Sequence, residues 1–260
     1  MLLVPPIPPT PNQDPVEWVY HLYEALAGTA PLDAQFGLGG SLLYAGEVIA
    51  GRNLLYAANI AGAASLAASA DPAALRQAMR EGVIDFLVTS LEEALRILKN
   101  EIRKRQAVSV GVSVAPHYLV EQMLARGVLP DLLPSISEQE SDKIKPVHLK
   151  KFLIQGARPI AASQPASGQF VTWTVDRACA RWLPRLDACA LAVLPSEDRL
   201  RRRWLQLAPR YLGRLVQRHH GVVLTGQEKA RFESGAAQLV ETHNRESQEP
   251  ITVTISDESA

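Results

Sequence analysis

The residues best suited to bind a phosphate group form a short loop, residues 45–53, with the sequence AGEVIAGRN. The preceding run, residues 41–45, has the composition of a buried strand, and residues 54–68 are small, apolar and compatible with a helix. A strand, a glycine loop and a helix form a phosphate cradle when the N–H groups of the loop are free at the helix N-terminus. The candidate cofactor-binding residues are Gly46, Gly51, Arg52 and Asn53.

Other side chains of the same loop oppose phosphate binding. Val48 and Ile49 place branched Cβ groups where a diphosphate would approach, and such residues resist a positive φ. Glu47 adds like-charge repulsion, and Arg52 would bind a phosphate only in a rearranged loop. The sequence therefore predicts a loop that no longer binds a dinucleotide. The alternative is a loop rebuilt around Arg52 and Asn53 that still binds NAD(P) or another nucleotide.

The loop belongs to a longer alternation of apolar runs and helical patterns. Strands are predicted at 42–45, 64–67, 83–88, 107–113, 129–133, 170–175, 189–194 and 222–225. Asp71 and Ser90 are predicted helix N-caps, and Gly127 is a predicted helix stop. Near-continuous apolar strands that alternate with helices indicate a mainly parallel sheet covered on both faces. The predicted fold class is therefore a doubly wound, Rossmann-like α/β domain.

The chain divides into three predicted regions. Residues 1–15 form a proline-rich arm, and residues 16–240 form the α/β domain, with an irregular excursion at 135–167. Residues 241–260 form a polar tail, in which the alternating run 251–255 is predicted to be an edge strand or an arm that pairs with another subunit.

Composition excludes several classes of partner. Lysine plus arginine equals aspartate plus glutamate at 27 each, so no global field attracts nucleic acid or an anionic membrane. Cys179 and Cys189 are too few for a disulfide framework or a zinc cluster. No apolar stretch is long enough to span a membrane. With no secretory signal in the sequence, we expect a cytoplasmic protein that binds no metal, no nucleic acid and no membrane.

The stretch from Ser41 to Asp131 resembles the NAD-binding Rossmann-like domain of the urocanase (urocanate hydratase) family. The short anchors that carry this resemblance are AG at 45–46, AANIAG at 57–62, TSLEEAL at 89–95, AVSVGV at 107–112 and ARGVLPDLLP at 125–134. A weaker similarity to the same family lies in YLGRLVQRHHGVVLTG at 211–226. The resemblance implies a domain that binds NAD⁺ as an electrophile for the hydration of urocanate.

The family pattern is broken at each position that would hold the cofactor. The family loop is rich in glycine, and only Gly46 and Gly51 remain of those glycines. Where the family has a glutamate for the ribose, this chain has Ser69, and Asp71 lies two residues further on. The catalytic regions that flank this domain in urocanases are not recognisable. The resemblance thus predicts a truncated domain with degenerate cofactor motifs and no NAD, with NAD binding as the alternative.

Two further features remain open as candidates. Among the histidines, His117 lies at the carboxyl edge of the sheet, where α/β proteins bind ligands, and would be tested first. His219 and His220 are adjacent in a strand, so they point to opposite faces and do not share a metal. The segment 198–218 carries Arg199, Arg203, Arg210, Arg214 and Arg218 along one side, as a solvated flank or an anion-binding patch, and Pro209 is predicted to divide it into two helices.

The predicted function is a non-catalytic binding or interaction module. We expect a homodimer, with a protein partner or a small anionic ligand as further candidates. The alternative is an enzyme, of which a urocanate hydratase-like lyase is the specific form. No catalytic set of residues is recognisable in the sequence.

Overall fold

The computed structural model describes residues 14–29, 33, 35, 37–134, 151–160, 168–246 and 250–257. These residues form two compact units: unit 1 comprises residues 21–160, and unit 2 comprises residues 14–20 and 168–257. The first helix, α1 (Pro15–Thr29), begins in unit 2 and ends in unit 1. This division differs from the single α/β domain predicted over residues 16–240. Most of the predicted arm and most of the predicted excursion lie outside the described residues.

Unit 1 is built on a six-stranded sheet in which all paired strands are parallel. Its strands are β1 (Leu42–Glu47), β2 (Ala64–Ala68), β3 (Phe86–Val88), β4 (Val108–Val112), β5 (Leu132–Leu133) and β6 (Arg158–Pro159). Their spatial order is β3-β4-β2-β1-β5-β6. The chain moves from β1 to β2 on one side and later crosses to β5 on the other side of β1. The order therefore reverses between β1 and β5, which is the switch point where such folds bind ligands.

Helices cover both faces of this sheet. They are α2 (Arg52–Ala61), α3 (Pro72–Arg80), α4 (Leu91–Lys104) and α5 (Pro116–Ala125). On one face of the sheet, Leu98 of α4 and Met123 of α5 belong to the same apolar cluster as Tyr44 of β1. On the other face, Asn59 of α2 donates to the Ser109 hydroxyl of β4 at 3.1 Å. The predicted doubly wound, Rossmann-like α/β class is therefore confirmed in unit 1.

The helix ends follow the predicted capping residues. The Asp71 carboxylate accepts a hydrogen bond from the Ala73 N–H at 2.8 Å, and Pro72 takes the first helical position. Ser90 caps α4, and Glu93 returns to the Thr89 N–H at 2.9 Å, which completes a capping box. Gly127 follows α5 with φ of 64°. These local signals were readable because a cap involves only neighbouring residues.

Unit 2 is built on a three-stranded antiparallel sheet. Its strands are β7 (Gln169–Val175), β8 (His219–Leu224) and β9 (Val253–Asp257), in the order β8-β7-β9. Three helices accompany them: α6 (Leu183–Val193), α7 (Arg199–Leu212) and α8 (Gly226–Glu246). The Trp173 ring of β7 packs against the Phe232 ring of α8, with centroids 4.9 Å apart. Unit 2 thus adds an antiparallel sheet to the parallel one that the sequence predicted.

Two local predictions in unit 2 were wrong. The strand predicted at 189–194 is the end of α6, because a short apolar run does not distinguish a strand from a buried helix face. The helix predicted to break at Pro209 runs through it, since α7 continues to Leu212. Pro209 removes the N–H that would donate to the Leu205 carbonyl, yet α7 continues for three more residues. The tail strand is β9, and it pairs with β7 of the same chain.

Candidate functional site

The candidate site lies at the carboxyl end of β1, beside the switch point between β1 and β5. The loop that follows β1 leads directly into α2, whose first residue is Arg52. Gly46 has φ of 82°, and the pairing of β1 with β2 shifts by one residue at this point. The left-handed backbone at this position therefore favours glycine.

Gly51 is needed for close packing of the loop. A Cβ at this position would lie 2.6 Å from the Ala45 carbonyl oxygen and 3.0 Å from that of Glu47. The Gly51 N–H donates to the Glu47 carbonyl at 2.8 Å. The loop thus turns tightly back on the end of β1, and its second glycine serves this turn.

The Glu47 carboxylate occupies the N–H groups of the loop. Its Oε2 accepts hydrogen bonds from the Ile49 N–H at 2.7 Å and from the Ala50 N–H at 3.0 Å. The Val48 N–H donates to the Ala68 carbonyl of β2 at 3.0 Å. Sequence reasoning treated Glu47 only as a source of repulsion. A carboxylate side chain two and three residues before loop N–H groups was the available signal for this contact.

The branched residues of the loop take opposite positions. Val48 is fully buried, whereas the Ile49 side chain is 46% exposed. Val48 thus packs inside the protein, and the Ile49 side chain reaches solvent from the loop. The loop is also held by backbone hydrogen bonds and by Glu47.

Arg52 and Asn53 open helix α2. The Arg52 guanidinium forms an ion pair with Glu81, at 2.5 Å between Nη2 and Oε2. Tyr56, one turn further along α2, donates to the Glu81 carbonyl at 3.3 Å. Asn53 is half-buried. The structure thus ties Arg52 to the end of α3, where Glu81 is the C-cap residue.

The position after β2 carries no ribose-binding carboxylate. Ser69 is buried, and its hydroxyl accepts a hydrogen bond from the Asp71 N–H at 3.2 Å. The Asp71 carboxylate caps α3, as predicted. Ser69 and Asp71 are therefore both engaged in starting that helix.

The neighbouring strand end holds a buried tyrosine. Tyr44 of β1 donates to the Pro116 carbonyl at the start of α5, at 3.3 Å. Burial raises the pKa of this phenol, so it stays neutral as a donor. His117, the next residue of α5, is exposed in the first turn. The structure thus places His117 at the carboxyl edge, as predicted.

The arginines of segment 198–218 have two kinds of surroundings: some make contacts inside unit 2, and others are exposed. Arg201 of α7 lies between two carboxylates, at 2.6 Å from Asp198 and 2.6 Å from Glu228 of α8. Arg202 donates to the Leu191 carbonyl of α6 at 2.9 Å. Among the five predicted flank residues, Arg199, Arg210, Arg214 and Arg218 are exposed and Arg203 is half-buried. Arg201 and Arg202, which the sequence analysis did not single out, hold unit 2 together.

The adjacent histidines of β8 contact different carboxylates, as their opposite faces predicted. His219 Nε2 lies 3.2 Å from Asp14, and His220 Nδ1 lies 2.8 Å from Asp187 of α6. Burial opposes ionisation of Asp14, but hydrogen bonds from His219 and from the Val16 N–H outweigh it and lower its pKa.

In the described part of the chain, no group of three His, Cys, Asp or Glu residues is arranged to bind a metal. None of the described helices is long and apolar enough to cross a membrane.

Unit 1 has the architecture of a Rossmann-like domain, with its candidate site at the strand end that such domains use. Residues 45–142 match the family model of the urocanase Rossmann-like domain. The resemblance seen in the sequence is therefore confirmed for this segment, which covers less than half of the 260 residues.

Proposed function

We propose that this chain is a non-catalytic, urocanase-like protein that acts as a binding or interaction module and does not hold NAD at the loop after β1. The observation that carries this proposal is the Glu47 carboxylate on the Ile49 and Ala50 N–H groups. These N–H groups belong to the turn that precedes α2, and a diphosphate held by this turn needs them free. In this loop an internal anion uses them, and a second anion would be repelled.

Three further observations support the same proposal. The N–H groups of Val48 and Gly51 are hydrogen-bonded within the protein. Arg52 would have to leave Glu81 before it could bind a phosphate. Ser69 offers no carboxylate to the ribose hydroxyls. The residues of this site therefore do not fit NAD.

Calorimetric titration of the full chain with NAD⁺ tests the proposal. We expect no heat of binding at micromolar to millimolar NAD⁺. Glu47→Gln is the informative companion variant, because it removes the charge and keeps an oxygen that accepts the two hydrogen bonds. Micromolar binding to the wild-type chain would overturn the proposal and favour the alternative, a nucleotide-binding enzyme with a rebuilt loop.

The alternative enzyme has its own test. Arg52 stands at the first position of α2, so release from Glu81 would put a cation at the phosphate position. A urocanate hydratase-like lyase would then deplete the ultraviolet absorbance of urocanate in the presence of NAD⁺. We expect no change in that absorbance with the wild-type chain.

The partner of the module is proposed to be a second copy of the chain, in the cytoplasm. Both cysteines are free thiols, which supports a reducing compartment. The module could instead serve as an accessory subunit beside a separate catalytic chain. Co-purification from the native host distinguishes these cases, since an accessory subunit would bring its catalytic chain with it.

A further inference from the structure

The antiparallel sheet of unit 2 has two outer strands, β8 and β9, with β7 between them. The register of these strands shows which peptide groups point outward. The Val175 N–H of β7 donates to the Arg218 carbonyl, directly before β8, at 2.9 Å. Because the peptide groups of successive residues in an antiparallel strand point to opposite sides, the odd-numbered residues of β7 face β8 and the even-numbered residues face β9.

Contacts at the β8 edge agree with this alternation. Gly221 and Val223 pair with even-numbered residues of β7, so their carbonyl groups point away from β7. The Trp204 indole N–H donates to the Gly221 carbonyl at 2.7 Å, and Arg201 donates to the Val223 carbonyl at 3.0 Å. Side chains of α7 therefore occupy outward groups of β8.

The β9 edge has open peptide groups instead. Thr254 and Ser256 pair with even-numbered residues of β7, so their peptide groups are used inside the sheet. The peptide groups of Val253 and Ile255 therefore point outward, and within the described residues these groups have no hydrogen-bond partner. Proteins often block such an edge with lysine, proline or a bulge, and residues 253–257 contain no lysine or proline and pair with β7 in regular register.

We infer that the outer edge of β9 pairs with the same edge of a second copy of the chain, antiparallel and about a two-fold axis at Ile255. This inference rests on the self-association proposed above and assigns its surface. In this register, Ile255 meets Ile255 and Val253 meets Asp257 of the second copy as hydrogen-bonded pairs. All residues of β9 are then paired, whereas any other two-fold register pairs fewer of them.

The side chains of β9 are compatible with this symmetric pairing. Thr254 and Ser256 are exposed, and each would lie opposite the other, where two hydroxyl groups can form a hydrogen bond. The charged residue of β9, Asp257, lies 2.6 Å from Lys229 of its own chain and would face Val253 of the second copy. Like charges are therefore not directly opposed across the pair, which favours a second copy as the occupant of this edge.

Opposite charges placed on β9 test the pairing. One variant carries Thr254→Lys and Ser256→Lys, and the other carries Thr254→Glu and Ser256→Glu. Either variant alone would oppose like charges in the inferred register, so we expect its dimerisation to be roughly five- to thirtyfold weaker than that of the wild type. An equimolar mixture would oppose lysine with glutamate and should dimerise more tightly than either variant alone. Sedimentation velocity measures the association of each sample.

The double variant Ala70→Lys with Gln106→Lys is the matched control for added charge. Both positions are exposed in unit 1, and this variant should dimerise like the wild type. A monomeric wild type would overturn both this inference and the proposed homodimer. A dimeric wild type whose β9 variants dimerise with unchanged affinity would overturn only the pairing through β9.

Amide hydrogen exchange of the wild-type chain provides a check that needs no variant. The Ile255 N–H points outward in the single chain and would be hydrogen-bonded in the pair, whereas the Thr254 N–H faces β7 in both. On dilution from high to low micromolar protein, exchange should accelerate at Ile255 and stay unchanged at Thr254. A rate at Ile255 that does not depend on concentration would contradict the inference. Protection of Ile255 that appears only after extract of the native host is added would indicate a strand from another protein and overturn the second copy.

Discussion

Glu47 illustrates how one side chain changes what a glycine loop does. A glutamate after a buried strand is ordinarily a solvated residue, but here its carboxylate reaches two N–H groups of the following loop. Those groups belong to the turn between β1 and α2, just before the helix N-cap Gly51. An internal carboxylate at this place gives the loop a stable closed form without a ligand.

Removal of that carboxylate should therefore weaken unit 1. Glu47→Ala leaves the Ile49 and Ala50 N–H groups without their acceptor, and we expect a loss of about 1–2 kcal/mol in the free energy of unfolding. Urea unfolding measures the loss, and amide hydrogen exchange should become faster at residues 49 and 50. Glu92→Ala is the control, because the Glu92–Arg96 pair is 62% and 75% exposed, and its cost should stay within about 0.5 kcal/mol. Equal effects of the two substitutions would contradict this role of Glu47.

Asp14 makes the stability of unit 2 depend on pH. Its folded-state pKa lies below its ordinary value of 3.8, so the ionised carboxylate is bound more tightly in the folded chain. This contribution is present above pH 3.8 and is lost as the pH falls through the lowered pKa. Asp14→Asn keeps a side-chain oxygen for the Val16 N–H but removes the charge. We expect the variant to be less stable than the wild type at about pH 6 and nearly equal to it at about pH 2, as measured by urea unfolding. A difference that is the same at both pH values would exclude this linkage.

At the scale of elements, the turn from β1 into α2 depends on a glycine with no room for a side chain. The Cβ of Gly51→Ala would meet two backbone carbonyls, which cannot rotate away as a side chain can. We expect a loss of about 1–3 kcal/mol on thermal or urea unfolding.

Gly235→Ala provides the opposite case in α8. A Cβ at Gly235 meets nothing within 4 Å, and the residue lies inside a helix. The substitution should stabilise the protein by about 0.5–1 kcal/mol. If Gly51→Ala were as well tolerated as Gly235→Ala, that result would contradict the close packing of the loop against β1.

Side chains of α7 cover the β8 edge of the unit 2 sheet. At the β8 edge, Trp204 donates to the Gly221 carbonyl at 2.7 Å and Arg201 donates to the Val223 carbonyl at 3.0 Å. Burial opposes the charge of Arg201, but hydrogen bonds and attraction from Glu228 and Asp198 keep its pKa raised. These contacts occupy backbone groups that would otherwise pair with another strand.

At the scale of the whole molecule, the proposed self-association can be measured in solution. We predict a homodimer in sedimentation velocity across micromolar concentrations near about 0.15 M salt. Because lysine plus arginine equals aspartate plus glutamate, the sedimentation coefficient should change little when the salt is raised to about 0.5 M. A monomer throughout this range would contradict the proposed self-association.

The sequence by itself determined the parallel α/β architecture of unit 1, its helix caps and its resemblance to the urocanase Rossmann-like domain. These features depend on periodicity and on contacts between near neighbours, such as Asp71 with Ala73. The tertiary structure alone decided the division into two units, because the apolar pattern of a strand does not indicate which sheet the strand joins. It also decided the partners of Glu47, Arg52 and His220. Those contacts depend on where loops and distant helices meet, as with Asp187 and His220, which lie 33 residues apart in the chain.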